Sequence, residues 1–287
     1  MKQLESLFKS YTGFPARSIT ELPSSGSNRR YFRMEGEQGS LIGTLGSCKE
    51  ENKAFIVIAE HFRKQGLPVP GVYAHSRDLS CYLQQDLGDR ILYNAVEEGR
   101  SRGNYSPGEK SLLFKALEAL PALQFKGAQG LDFSVCYPQP EFDERMVSFD
   151  LNYFKYCFLK ATGLDFSEIK LENDFRKMSA VLLRDASETF LYRDFQARNV
   201  MLVNDEPYFI DFQGGRKGPI YYDVASFIWQ AKANYSDELK EELLSAYLKA
   251  LRQYTPVAEK HFYGQLRHFI LFRTLQVLGA YGFRGYF

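Results

Sequence analysis

The sequence predicts an α+β chain with a small antiparallel-sheet lobe first and a larger helical lobe after it. Three observations carry this. Residues 1–85 alternate short β-type runs with turn residues around one inserted helical stretch. From residue 89 the apolar spacing becomes mostly helical. One strand-rich island, 190–212, interrupts those helices. The boundary falls in Asp86-Leu87-Gly88-Asp89, giving lobes of 1–86 and 87–287.

Taken in order, residues 1–12 read as a short amphipathic helix, with Leu4, Leu7, Phe8 and Tyr11 at helical spacing. Segments 18–23, 30–35 and 40–45 read as strands. Residues 50–65 are helical, and Gly66 ends them. Leu67-Pro68-Val69-Pro70 must be extended, because each proline disfavours helix in the residue before it. Segments 72–74 and 81–85 add two strands. The later helices are expected at 89–99, 107–125, 142–161, 171–186, 222–233, 236–253 and 256–280.

Composition excludes several classes. A formal net charge of +1 and no basic stripe argue against a nucleic-acid or membrane-surface binder. Cys48, Cys81, Cys136 and Cys157 form no C-x-x-C pair and stand at no metal-ligand spacing from a histidine, so reduced thiols and a cytoplasmic setting are expected. The start carries acids and no apolar run, unlike a signal peptide. No stretch approaches the ~18 uninterrupted apolar residues of a membrane span.

The chemistry concentrates between Thr189 and Gln213. Apolar runs 199–203 and 208–212 flank Asn204-Asp205-Glu206-Pro207, a turn by composition, and so form a hairpin. With the turn centred on Asp205, Asn199 lies opposite Asp211; a one-residue slip makes them diagonal neighbours and changes the facing. Both polar side chains come to the open end of the hairpin. Asp194 enters that end on the loop after the strand 190–192. One amide and one carboxylate oxygen suit Mg²⁺, which takes few protein ligands and completes its octahedron with water and phosphate oxygens. Asp194 is then free to accept the proton of an acceptor hydroxyl as a phosphoryl group moves.

Tyr192-Arg193-Asp194, Asn199 and Ile210-Asp211-Phe212 resemble the catalytic and metal-binding motifs of the aminoglycoside phosphotransferase and choline-kinase-like superfamily. Arg193 to Asn199, Ile210 to Gln213 and Gly218 to Asp223 are most similar to its branch of anomeric N-acetylmuramate and N-acetylglucosamine kinases. The resemblance implies a two-lobed protein-kinase-like fold and an ATP- and Mg²⁺-dependent small-molecule kinase. It implies Asp194, with Arg193, as the catalytic group, Asn199 and Asp211 as metal ligands, and Asp223 as a brace for the catalytic loop. A plain helix N-cap is the other reading of Asp223.

The same resemblance places the ATP phosphates over Ser25, Gly26, Ser27 and Asn28, and the adenine edge on backbone groups of Gln85 and Leu87. Kinase-like folds carry a lysine on the third strand, paired with a helix glutamate. Here that strand, Leu41-Ile42-Gly43-Thr44-Leu45, has none. Lys49 and Lys53 lie off it, Glu51 is a candidate helix acid, and Arg30 or Arg33 could supply the charge. The missing lysine motivates a second reading, a nucleotide-binding pseudokinase module. Choline, homoserine or an aminoglycoside are alternative acceptors. The last segment carries Arg267, His268, Arg273 and Arg284 and no dense acidic cluster, which favours a neutral or anionic acceptor such as an N-acetyl sugar over a polycation. His268 reads as structural. The aromatic ending, Leu278 to Phe287, suggests that the native polypeptide continues into a further domain.

Overall fold

In the computed structural model, which describes residues 1–23, 29–185 and 187–285, helix α1 (Lys2–Thr12) turns Leu4 and Phe8 to one face and ends at Gly13, φ 82°. A left-handed residue closes a helix end cheaply when it has no Cβ. The strands that follow are β1 (Ser18–Leu22), β2 (Arg30–Gly36) and β3 (Gly39–Leu45). Helix α2 (Lys49–Lys64) leads to β4 (Val72–His75) and β5 (Cys81–Gln85). They form one antiparallel sheet in the order β1-β2-β3-β5-β4.

Alternation gives this sheet two different faces. Phe32, Met34, Cys81 and Leu83 point outward and bury Leu4 and Phe8 of α1. The helix can sit that low because Gly43 has no side chain: a Cβ there would stand 2.7 Å from Leu4 and 2.8 Å from the Met34 sulfur. The inner face carries Tyr31, Arg33, Thr44, Tyr82 and Gln84, with Gln84 Nε2 donating to Thr44 Oγ1 at 3.2 Å.

Helix α2 covers the other side of the sheet and docks the two lobes. Its N-terminus is tied down by buried Asn52, whose Nδ2 donates to the carbonyls of Gly46 at 3.0 Å and Leu79 at 2.8 Å. Phe55 stacks between Tyr82, centroids 5.1 Å apart, and Phe212 of the large lobe, 4.9 Å apart. Phe62 meets Phe190 edge-on at 4.9 Å. Each such pair adds about 0.5–1.5 kcal/mol beyond its buried area. The extended 67–70 segment also crosses over, as Phe209 N–H donates to the Pro68 carbonyl at 2.9 Å.

The large lobe begins with α3 (Leu92–Ala95), α4 (Glu97–Arg102), α5 (Pro107–Glu118) and α6 (Leu120–Ala128). The spans expected at 89–99 and 107–125 are therefore each broken. In the second the break sits at Ala119, two residues before Pro121, which has no N–H to offer a continuous helix. Helix α7 (Glu144–Phe154) passes into a π turn at Lys155–Leu159, so the expected helix 142–161 is α-helical only in its first part. Then come α8 (Glu168–Leu182), β6 (Thr189–Leu191), β7 (Val200–Val203), β8 (Glu206–Phe209) and β9 (Arg216–Gly218). Helices α9 (Tyr221–Ile228), α10 (Asp237–Leu251) and α11 (Glu259–Phe283) complete it. Strand β9, three residues of arginine, lysine and glycine, has no strand-like composition; it forms because β6 pairs with it, Leu191 opposite Arg216. The four cysteines are free, and among the described residues no helix is long and apolar enough to cross a membrane.

Candidate active site

The site is built on the hairpin of β7 and β8. Val203 pairs with Glu206, so the turn is the two residues Asn204 and Asp205, at φ 53° and 62°. Two successive positive φ angles make the tight turn whose twist suits a hairpin. This corrects the register expected from a turn centred on Asp205. Val200 faces Phe209, and Asn199 therefore faces Ile210, whose N–H donates to the Asn199 carbonyl at 3.0 Å. Asp211 lies one residue further along, and its own φ of 66° turns the chain out of the strand path. A left-handed aspartate is uncommon and costs free energy, so the surrounding structure must hold it.

Three polar side chains meet at this end. Asn199 is buried, and its Nδ2 donates to the Asp194 carbonyl at 2.8 Å, which fixes the amide oxygen as an acceptor and ties the two residues together. Asp211 is partly buried; its Oδ1 accepts from Gln213 Nε2 at 2.7 Å and lies 3.7 Å from the Arg29 guanidinium. Burial pushes the Asp211 carboxyl above its ordinary range and the neighbouring Asp194 adds to that, against the Gln213 hydrogen bond and the Arg29 charge.

The loop that carries Asp194 is braced from below. Asp223, fully buried in the first turn of α9, accepts the backbone N–H of Tyr192 at 2.7 Å and of Arg193 at 2.9 Å. It is a brace across elements, not a cap of its own helix. Burial pushes its carboxyl up to about 7, against the two amide hydrogen bonds. Arg193 stands at φ 78° and reaches away from the reacting end: its guanidinium meets the Asp150 carboxylate at 2.9 and 3.1 Å. The Arg193 guanidinium thus ties the loop to α7. Tyr192 donates its hydroxyl to the Ile210 carbonyl and links the loop to the hairpin. Gly215 lies close behind, where a Cβ would stand 2.1 Å from the Phe190 ring.

Sequence reasoning missed two of these groups. Asp150 has a visible signal: it falls in the buried stripe of α7 with Met146, Val147, Leu151 and Phe154, where a charge needs a partner. Arg29 is the second. Arg30 was expected toward the nucleotide, but it shares the outer face with Phe32 and Met34 and pairs with Glu21 on β1 at 2.8 Å, exposed to solvent. Arg29, one residue earlier, is on the inner face and 2% exposed, and its Nη2 donates to Glu51 of α2 at 2.9 Å.

Arg33 shares that inner face and grips the inter-lobe linker, meeting Asp86 at 2.7 and 3.1 Å and the Gly88 carbonyl at 3.2 Å. Lys49 pairs with Asp78 at 3.7 Å, and Lys53 is exposed. The backbone N–H of Gln85 is taken up by the Gly71 carbonyl at 2.7 Å, so it is not offered to a nucleotide; Leu87 lies beyond the strand, in the linker. Ser25, Gly26, Ser27 and Asn28 lie outside the described residues. Of the late residues, Arg273 is buried and donates to Ser226 at 3.0 Å beneath the loop, while Arg267, His268 and Arg284 are exposed.

An aspartate on a braced loop, an asparagine five residues on and an aspartate after a hairpin, set below a five-stranded lobe, define the class of two-lobed small-molecule kinases. The chain belongs to the phosphotransferase enzyme family, whose model matches residues 18–259. It is 26% identical over 240 residues to the N-acetylmuramate/N-acetylglucosamine kinase of Pseudomonas aeruginosa, covering 82% of this chain and 66% of that one. It is 27% identical over 284 residues to the N-acetylmuramate/N-acetylglucosamine kinase of Neisseria meningitidis, covering 94% of this chain and 80% of that one. The fold is similar to that of choline kinase from Cryptosporidium parvum, with a TM-score of 0.65 at 11% identity, covering 94% and 87% of the two chains. It is also similar to that of an aminoglycoside phosphotransferase with ADP bound, with a TM-score of 0.62 at 15% identity, covering 96% and 97%.

Proposed function

We propose that this protein transfers the γ-phosphoryl group of ATP, with Mg²⁺, to the anomeric hydroxyl of an amino sugar, N-acetylmuramate or N-acetylglucosamine. The observation that carries the reading is the junction of Asp194, Asn199 and Asp211. The Asn199 amide is locked onto the Asp194 carbonyl at 2.8 Å, and Asp211 is turned toward that end by its left-handed backbone.

The residues present fit the metal. The Asn199 amide nitrogen is held by a carbonyl, which leaves its oxygen as a ligand, and the Asp211 carboxylate is the second; two hard oxygens suit Mg²⁺. When bound, Mg²⁺ supplies charge neutralisation at the phosphate oxygens. Asp194 carries the proton chemistry. Its carboxylate accepts the proton of the acceptor hydroxyl as that oxygen bonds to the γ-phosphorus and the bond to the bridging oxygen of ADP breaks. The products are ADP and a sugar phosphate. Asp223, Arg193 and Asp150 do not touch the reacting atoms; they hold the backbone from which Asp194 projects.

The two bacterial relatives, each named as an N-acetylmuramate/N-acetylglucosamine kinase, support the sugar acceptor, and the ADP in the aminoglycoside phosphotransferase supports the nucleotide donor. A charged arginine joined to Glu51 in the cleft favours turnover over a silent nucleotide-binding module.

The test is Mg²⁺-dependent ADP release against N-acetylmuramate, N-acetylglucosamine, choline, homoserine and kanamycin, with Asp194→Asn as control. Sugar-dependent release that is lost in the control supports the reading. Release with another acceptor changes the substrate. ATP binding with no release on any acceptor replaces the enzyme with the regulatory module.

A further inference from the structure

Strand β3 offers Ile42 and Thr44 to the inner face and no cation. Yet this is where negative charge gathers. Asp194 and Asp211 already meet here, and a phosphate-bearing donor adds more. Among the described residues, Arg29 is a cation placed against Asp211 from the small lobe. It immediately precedes β2 and shares its inner face with Tyr31 and Arg33. Its Nη2 lies 2.9 Å from Glu51 Oε1 and 3.7 Å from Asp211 Oδ1, and its Nη1 donates to the Tyr82 hydroxyl at 3.4 Å.

One guanidinium therefore joins α2, β5 and the segment after β8. Among the described residues, Asp211 meets Gln213 from its own loop and Arg29 from the other lobe. A planar fork suits this bridge, because separate N–H groups can serve Glu51 and Asp211 at once; a lysine ammonium is a point charge and does not span the pair in the same way.

We infer that Arg29 is the positioning residue that replaces the strand lysine. Anchored by Glu51, it orients the Asp211 carboxylate from the small lobe, so that metal binding at Asp211 is coupled to the seating of the small lobe on the large one. This rests on the phosphotransfer reading above. Being 2% exposed, the guanidinium acts through Asp211 and not by collision with solvent ligands.

The experiment titrates ADP into the purified chain by calorimetry, with Mg²⁺ and with EDTA, and measures the Mg²⁺ dependence of turnover. The variants are Arg29→Gln, Arg29→Lys and Glu51→Gln. Arg29→Gln is expected to weaken Mg²⁺-dependent ADP binding by about tenfold or more, as loss of one partner of a buried charge pair does. Binding in EDTA should change by less than about threefold, since that readout bypasses Asp211 as a metal ligand. Arg29→Lys should restore part of the Mg²⁺ response, and Glu51→Gln should lose part of it while keeping the charge. An Arg29→Gln protein with an unchanged Mg²⁺ requirement overturns the inference and leaves the phosphotransfer reading intact. If Arg29→Gln fails to fold, Glu51→Gln decides in its place, and an unchanged Mg²⁺ response in it overturns the inference. A wild-type chain that binds no adenine nucleotide removes the phosphotransfer reading itself, and the inference with it.

Discussion

Asp223 accepts the backbone N–H of Arg193 at 2.9 Å, at the residue whose φ of 78° aims the chain into Asp194. A non-glycine residue in that region costs about 1–3 kcal/mol, so the loop keeps its shape only while something holds it. The carboxylate holds two successive amides, which a neutral amide side chain with one acceptor cannot reproduce. Asp223→Asn is expected to destabilise the chain by about 1–3 kcal/mol. Turnover should fall about 100-fold through misplacement of Asp194. ADP affinity should hold within a few fold. Urea unfolding, steady-state kinetics and calorimetry separate the three; full turnover in the variant would show that the loop holds without the brace.

Arg193 and Asp150 make a second, more costly support. Asp150 is 2% exposed, and Gln276 of α11 adds a hydrogen bond to it at 3.3 Å. Arg216 and Arg273 are buried nearby, so the carboxylate balances a positive neighbourhood; burial together with the Arg193 charge pushes the Arg216 guanidinium down to about 10. Asp150→Asn leaves Arg193 without its counter-charge and should cost about 3–5 kcal/mol. The double variant Asp150→Leu with Arg193→Met should cost less than the sum of the two single variants, since neither charge is then stranded. Strict additivity in denaturant unfolding would count against the pair.

The contact of Arg33 with Asp86 gives a pH signature in the linker. Burial alone would raise the Asp86 carboxyl, but hydrogen bonds from Arg33, Ser40 and the Gly88 amide outweigh it and hold it below its ordinary range. A depressed carboxyl contributes stability that is fully present above its unfolded pKa, about 3.9. That contribution is lost as pH falls through the lower folded value. Asp86→Asn should therefore be less stable than wild type at pH 7, by about 1–3 kcal/mol. The gap should narrow as pH drops below about 4. Chemical unfolding of both proteins from pH 7 to pH 3 reads it, and a gap that widens with acid would refute the assignment.

How much of this was legible depends on whether a feature is local. Asp194, Asn199 and Asp211 stand out because residue type, order and the flanking β runs lie in one stretch of chain. The register did not, since a turn of Asn204-Asp205-Glu206-Pro207 composition does not say which two residues take positive φ. Arg30 and Arg33 were the expected cations and Arg29 was missed, although alternation points away from Arg30: Phe32 and Met34 claim one face of β2, and Arg30 shares it. Strand β9 was invisible because its pairing with β6, not its own residues, makes it a strand. Asp223 lies 30 residues from Arg193 and was legible only through the family motif, with a plain N-cap as its other reading; Asp150, 43 residues away on α7, carries no such motif, and only the fold brings it to Arg193.

The outer face of the small lobe offers the cleanest packing test. Gly43 lies under α1, where a Cβ would meet both methyl carbons of Leu4 at 2.7 and 2.9 Å and the Met34 sulfur at 2.8 Å. Its backbone is ordinary strand, so the glycine is required by space and not by φ. Gly43→Ala should lift α1 from the sheet and destabilise the chain by about 1–3 kcal/mol, the usual cost of overpacking. Leu4→Ala alone should cost about 2–5 kcal/mol by opening a cavity in the same place. The new methyl and the missing isobutyl group then compensate, so the double variant should be more stable than the two single costs predict. Because the inner face carries Arg29, Arg33 and Tyr82, ADP binding should be nearly unchanged in the folded fraction of all three proteins. Thermal unfolding gives the coupling energy, and a coupling of zero would mean that α1 does not rest on Gly43.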